Sequence, residues 1–398
     1  MSHPPTSLYA AFDTYPAPKG AAVHIREFAS ALFNFSPNGL LLTLGAPELP
    51  SWQIEESCEI RRLSSSEPNY LKRATEFSNF VHFHASLLRD SLKIAHFRDP
   101  WSGLPILDAL SRSCRTVYEV NALPSIELPA RYGRLTPTTL NKLKAFEQEC
   151  LESVDAIVCP SQIIKNCLVE TGISPHKITV IPNGAEIIDT QTIVKPAEMP
   201  PQYLVYVGAV QPWQGLETLF KAMTFLRDLP ELKLVLCVSG TKNRIKFLQK
   251  LSERLLISDQ LVWQHKLTHK QVQPWLAHAT ISLAPLTECA RNLVQGCSPI
   301  KIIESMAMGI PTIASDLPVV RELLEHNQTG WLVRPDRPSE LARAIRILML
   351  HQHERQKLGN NAKVRAIKDL DWQISAGKLQ NVYRELLLGR LPDKSCMV

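Results

Sequence analysis

Residues 203–219, YLVYVGAVQPWQGLETL, read as a short apolar strand, a loop flanked by Gly208 and Gly215, and the start of a helix. The same order recurs along the chain. In the first half, the runs SLYAAF (7–12), GLLLTLG (39–45), IAHFRD (94–99), TVYEV (116–120), AIVCPS (156–161) and ITVIPNG (178–184) are strand-like. Between them lie amphipathic helical pieces such as AAVHIREFASALF (21–33) and TLNKLKAFEQECLESV (139–154). In the second half the strand-like runs are LKLVLCVSG, QLVWQHK, ISLAPL, PTIAS and GWLV, separated by helices such as RIKFLQKLSERLL and PSELARAIRILMLH. Strand, helix and strand in alternation is the signature of a parallel sheet covered on both faces, so the chain is expected to be α/β with two doubly wound domains.

The overall numbers agree with a globular protein of more than one core: 398 residues, 45% hydrophobic and 21% charged. Its net charge of +6, from 44 basic and 38 acidic residues, is spread along the chain without a basic arm, and suits an anionic small molecule or a membrane surface as well as nucleic acid. Nine scattered cysteines without a C-x-x-C pair argue against a disulfide framework and a zinc site, and fit a reducing compartment. The amino terminus lacks a basic segment followed by an apolar core, and no stretch approaches the roughly 20 apolar residues that span a bilayer. A cytoplasmic protein is expected, with any membrane contact peripheral. The ending KSCMV places Cys396 one residue too late for a prenylation box. The domain boundary is expected near 190, before the proline-bearing stretch TQTIVKPAEMPPQ (190–202), giving domains 1–190 and 191–370. Two helical patterns at 353–369 and 372–389 have no strand after them; packing back on the first domain is expected for the terminal segment 371–398.

Ligands of open parallel sheets bind beyond the carboxyl ends of the strands. After the first strand, Gly20 opens a helix, where bare backbone N–H groups can approach a phosphate; a turn glycine is the competing reading. Gly208 and Gly215 are ambiguous in the same way. Asp99-Pro100 reads as a helix N-cap followed by a first-turn proline rather than a catalytic acid. His24 reads as a packed or surface histidine, and Asn183-Gly184 as a turn. Asn121, just past TVYEV, either holds a substrate hydroxyl or braces its own loop.

More features converge on residues 297–309, CSPIKIIESMAMG. With Ser298 as N-cap and Pro299 at the first helical position, Lys301 stands in the first turn, where the helix dipole disfavours a cation by ~0.3–1 kcal/mol. A bound anion reverses that sign, and Arg291 lies in the polar loop TECARNLVQG (287–296) that leads from the strand ISLAPL to this helix. Glu304, one turn further on, shares a face with Lys301; it either accepts from the vicinal hydroxyls of a ribose or pairs with Lys301. Gly309 is placed to stop the helix.

Residues 298–333, SPIKIIESMAMGIPTIASDLPVVRELLEHNQTGWLV, resemble the donor-binding segment of the family 4 glycosyltransferases, which are retaining enzymes of the GT-B fold. VDAIVCPS, KITVIPNG and YVGAVQPWQGLETL are similar to the same family, and the resemblance covers nearly the whole chain. It implies two Rossmann-like domains facing across a cleft, a nucleoside diphosphate-sugar donor held mainly by the second and an acceptor by the first. Glu304 corresponds to the second glutamate of the family's E-x7-E motif, which holds the donor ribose. Lys266 and Leu267 fall where backbone groups contact the base, and Asn121 near the usual sugar-contacting histidine.

The chain also departs from that pattern. The first glutamate of E-x7-E falls on Gly296, the usual arginine after the strand glycine is Ala209, and the lysine before the loop glycine is Gln214. Arg291 and Lys301, with Lys242 as a third candidate, are expected to replace the two absent phosphate-binding cations. The implied activity is sugar transfer to a hydroxyl of a glycan or lipid-linked acceptor, as in polysaccharide biosynthesis. Neither metal nor cofactor is expected, and no carboxylate is nominated as nucleophile. An inactive nucleotide-sugar binding protein of the same fold, or a nucleotide-sugar epimerase, are the alternatives that the departures leave open.

Overall fold

The computed structural model describes residues 4–55, 58–110, 113–133 and 135–389, so Cys396 lies outside the described residues. The chain forms two compact units. One comprises the residues up to Ala17, Ala21–Pro182 and those from Ser375; the other comprises Pro18–Gly20 and Asn183–Ile374.

The first unit is built on β1 (Ser7–Thr14), β2 (Gly39–Leu44), β3 (Trp52–Glu55), β4 (Cys58–Leu63), β5 (Ile94–Phe97), β6 (Arg115–Glu119), β7 (Ala156–Cys159) and β8 (Ile178–Val180). They form one sheet in the order β3-β4-β2-β1-β5-β6-β7-β8. The chain winds outward from β1 on one side and, after β5, on the other, so the direction of winding switches between β1 and β5. Central strands such as Leu8–Ala11 and Ile94–Phe97 are buried on both faces, which explains their continuous apolar runs. The sheet is parallel except at its edge, where β3 pairs antiparallel with β4. That edge pair has no counterpart in the expected strands, because WQIE and CEIRRL intersperse apolar residues with charges as a half-exposed edge does. Asp99 caps the helix Pro100–Ala109 as expected, accepting from Ser102 N, with Pro100 in the first turn.

In the second unit, β9 (Tyr203–Ala209), β10 (Lys233–Ser239), β11 (Leu261–His265), β12 (Ile281–Ala284), β13 (Thr312–Ser315) and β14 (Trp331–Val333) form an all-parallel sheet. Its order is β11-β10-β9-β12-β13-β14, which puts the switch of winding between β9 and β12. The chain enters this unit at Asn183, ahead of the expected 190, because Ala185 N donates to Leu370 O and Trp372 N to Ala185 O. Gly184 makes that approach possible: a Cβ there would stand 2.6 Å from Trp372 N. Asn183 is therefore more than a turn residue; its buried amide donates to Ser298 O at 2.7 Å.

The helix Gln352–Asp369 belongs to the second unit, where Gly359 allows close approach to Gly309: a Cβ would stand 2.1 Å from Gly309 O. The helix Trp372–Leu387 begins in the second unit and joins the first from Ser375 on. Its Tyr383 hydroxyl lies 2.6 Å from His96 Nδ1. One Asp-x-Asp, Asp369–Asp371, sits at the junction of these two helices, and Asp371 is engaged there as acceptor from Gln373 N. Among the described residues no helix is long and apolar enough to cross a membrane, and the cysteines are free thiols.

Candidate active site

At the carboxyl end of β9 the backbone is shaped by two glycines. Gly208 has φ +140°, and a Cβ there would come within 3.0 Å of Lys301 Nζ. Gly215 has φ +73°, and its Cβ would collide with Pro285 O at 1.6 Å, so the loop after β9 can close on the loop after β12 only through glycine. Into this gap reaches Lys301, from the helix Ile300–Ala307. Its ammonium donates to Gln214 Oε1 at 2.5 Å and stands 4.0 Å from the ring centroid of Tyr206. The Tyr206 hydroxyl in turn donates to Ala209 O at 2.7 Å and stands 3.3 Å from Gln214 Oε1.

No carboxylate among the described residues pairs with Lys301. Burial pushes its pKa down to about 7, and nearby Arg291 pushes in the same direction, outweighing the opposite pull of Cys297 and Glu304. Of the two readings of Glu304, the pair with Lys301 is not formed: Glu304 Oε1 lies 2.9 Å from His269 Nε2 instead. The expected Ser298 cap is corrected. Pro299 occupies the N-cap position, no side chain caps the helix, and the buried Ser298 hydroxyl has no hydrogen-bond partner. A proline at that position fixes the entry of the chain but leaves the first N–H groups open. The other end stops at Gly309 as expected, with Gly309 N bonded to Met306 O and Ile310 N to Ser305 O, a Schellman arrangement.

Arg291 opens a π-helical turn, Arg291–Gln295, in the stretch expected to be a plain loop. Its guanidinium lies 5.1 Å from the Trp213 ring centroid. The buried Asn292 braces both loops by donating to Trp213 O and Thr287 O. Gly296, which ends the turn, has φ +85°, a conformation in which a side chain is strained; glycine there is a backbone requirement of this loop. At the end of β11, Lys266 adopts φ +54° and Leu267 packs against the apolar cluster around Tyr203 and Trp275. Lys242 is exposed at the start of the helix Lys242–Arg254, in the loop region after β10.

Within the first unit, Asn121 donates to Glu119, so its amide does brace its own surroundings. Glu119 is the centre of a buried polar cluster that sequence reasoning missed. Tyr9 donates to its Oε2 at 2.8 Å, Arg98 Nε to its Oε1 at 2.9 Å, and His24 Nε2 lies 2.7 Å from Oε1. Burial alone would raise the Glu119 pKa, but His24 and Arg98 hold it well below the usual carboxylate range. His24 is accordingly a packed, partnered histidine. Gly20, which belongs with the second unit, is the first residue of the helix Gly20–Phe35. A cavity of about 900 Å³ lies elsewhere in the second unit, beside β13 and β14. None of the expected site residues lines it, and two of its arginines, Arg321 and Arg334, are neutralised by Asp316 and Glu340 in its own wall.

Comparison with known proteins agrees with this architecture. Residues 188–365 match the family described as glycosyl transferases group 1, and residues 18–187 match glycosyltransferase family 4. The chain belongs to the GT4-like glycosyltransferases. This glycosyltransferase is 22% identical, over 385 residues, to an uncharacterised glycosyltransferase of Methanocaldococcus jannaschii, a match covering 92% of this chain and 95% of that one. The sucrose-phosphate synthase of Thermosynechococcus elongatus superposes with a TM-score of 0.78 at 19% identity, covering 96% of this chain and 100% of that one. The Anabaena HepE protein, solved in complex with UDP-glucose, gives 0.70 at 15% identity, with 96% and 99% covered. These likenesses establish the GT-B fold.

The second unit of the glycosyltransferase brings together Gly208, Gln214, Arg291 and Lys301 at the point where its sheet switches winding, and places Glu304 one turn along from Lys301. Sequence reasoning missed Tyr206, Trp213, His269 and Asn292. Tyr206 had a faint signal, since its hydroxyl sits in a largely aliphatic run; the other three carried none.

Proposed function

We propose that this glycosyltransferase is a retaining enzyme that moves a sugar from a nucleoside diphosphate donor to a hydroxyl of a glycan or lipid-linked acceptor. The single observation that carries the reading is Lys301. It is a half-buried cation, without a carboxylate partner among the described residues, at the switch of a doubly wound sheet beside a side-chain-free Gly208. Such a group is costly when empty and favourable when an anion arrives. Departure of the donor diphosphate builds negative charge, and preformed cations stabilise that change without reorganising.

In this reading Lys301 and Arg291 meet the diphosphate, and Gln214 holds the ammonium rather than supplying a charge itself. Glu304 accepts from the ribose, the backbone of Lys266 and Leu267 meets the base, and Gly208 admits the phosphates. Because the cations are supplied by side chains, neither metal nor further cofactor enters the proposal. The likeness to a protein solved with UDP-glucose supports a nucleotide-sugar donor. The test is a thermal-shift panel of UDP-, GDP- and ADP-sugars, since a donor that binds only the native state stabilises it by ~2.7 kcal/mol at 100 times its Kd. It is followed by analysis of the sugar product and its anomeric configuration by NMR. Donor binding without any transfer or hydrolysis identifies an inactive binding protein; conversion of the donor sugar without acceptor identifies an epimerase; an inverted anomer refutes the retaining reading.

A further inference from the structure

Glu304 is held by a residue from a different strand end. His269 is the first residue of the helix His269–Ala277, and that start is fixed by a capping box. Thr268 Oγ1 accepts from Gln271 N, while Gln271 Oε1 accepts from Thr268 N at 2.9 Å and from its hydroxyl at 3.0 Å. Two residues earlier the chain turns out of β11 through Lys266 at φ +54°, and Leu267 anchors the turn in the apolar cluster. The imidazole is therefore positioned by its own backbone. Glu304 is equally constrained: its helix is bonded to β12 through Ser305 Oγ and Ser282 Oγ at 2.7 Å and ends at the Gly309 stop.

Between these two supports, His269 Nε2 lies 2.9 Å from Glu304 Oε1. Oε2 has no partner among the described residues, and the Glu304 side chain keeps 14% of its surface exposed. The contact joins two largely buried side chains. Its consequence is directional: with one oxygen engaged, the other is held in one place, ready to accept. We infer that His269 is a positioning residue of the donor site, whose Nε2–H fixes Glu304 so that Oε2 receives the ribose hydroxyls. This rests on the reading of Glu304 as the ribose acceptor.

Removing the imidazole frees the glutamate side chain to adopt other rotamers and to turn Oε2 away from the sugar. The loss falls on ligands that offer the hydroxyl and spares those that lack it, which separates positioning from a general loosening of the fold. The experiment measures calorimetric affinities of UDP and 2′-deoxy-UDP, with ADP and 2′-deoxy-ADP in parallel, for the unmodified chain and for Glu304→Gln, His269→Ala, His269→Gln and the Glu304→Gln/His269→Ala pair. His269→Ala is expected to weaken the ribonucleotide by about 5–20-fold and the deoxynucleotide by less than about 2-fold, a hydrogen bond's contribution. His269→Gln, whose amide can donate to the same oxygen, is expected to recover most of the loss. The double variant is expected to be no weaker than Glu304→Gln alone. If Glu304→Gln abolishes ribose discrimination while His269→Ala leaves it intact or weakens both nucleotides equally, His269 is not a positioning residue and the ribose role of Glu304 stands. If Glu304→Gln leaves discrimination intact, the ribose role fails and this inference with it.

Discussion

Binding of a nucleoside diphosphate by this glycosyltransferase is expected to take up a proton at Lys301. The pKa of that lysine is lowered to about 7 in the empty protein, first by burial and then by Arg291. About one molecule in ten therefore carries the charge at pH 8, and about nine in ten at pH 6. A diphosphate against the ammonium favours the charged form, so binding draws in about 0.9 proton at pH 8 and about 0.1 at pH 6. Apparent affinity follows, falling about 50-fold between pH 7 and pH 9 as the free enzyme loses its cation. Stability of the empty protein moves the other way. The folded state binds fewer protons than the unfolded one between the lowered pKa and the ordinary value of 10.5, so stability rises with pH across that window. The charged lysine at pH 7 costs at most about 4 kcal/mol by this linkage, cut to on the order of 1–2 kcal/mol by the partial exposure of its side chain. Lys301→Met should accordingly melt a few degrees higher while binding UDP more weakly, and Lys301→Ala should slow donor cleavage by ~10²–10³-fold. The assay is titration calorimetry of UDP in two buffers of different ionisation enthalpy, with Lys301→Met as the reference that subtracts protons taken up by the nucleotide. Equal proton uptake by the unmodified protein and Lys301→Met at pH 8 would refute the reasoning, as would wild-type cleavage by Lys301→Ala.

Glu119→Gln should cost about 3–5 kcal/mol in urea unfolding, because it leaves Arg98 and His24 without the buried carboxylate they share; a loss below 1 kcal/mol would mean that water replaces it freely. Gly215→Ala should lose donor binding and destabilise the second unit, since its φ of +73° and the 1.6 Å approach to Pro285 O leave no room for a methyl group; unchanged UDP affinity and melting temperature would overturn that account. Donor turnover should survive EDTA, because among the described residues no group of three or more His, Cys, Asp or Glu is placed to hold a metal; loss of activity restored by magnesium or manganese would refute it.

Local chemistry and period were enough to read the alternation of strands and helices, the Asp99 cap, the Gly309 stop and the concentration of cations around 291–301, since each depends on neighbours within a few residues. The resemblance to a known family added the expectation of Glu304 at a ribose. What the sequence could not show is which side chains meet across the fold. Lys301 reaches Gln214 across 87 residues, Glu304 reaches His269 across 35, Tyr9 reaches Glu119 across 110 and His96 reaches Tyr383 across 287. The edge hairpin β3–β4 escaped the reading because its charges break the apolar run, and the unit boundary because Ala185 is claimed by backbone bonds from residues 370–372. Periodicity specifies which face of an element is apolar, and so determined the two-sheet architecture by itself. Pairing of polar groups depends on which strand ends the sheet order brings side by side, and only the tertiary structure decided that Lys301 would lack a carboxylate while Glu304 gained a histidine.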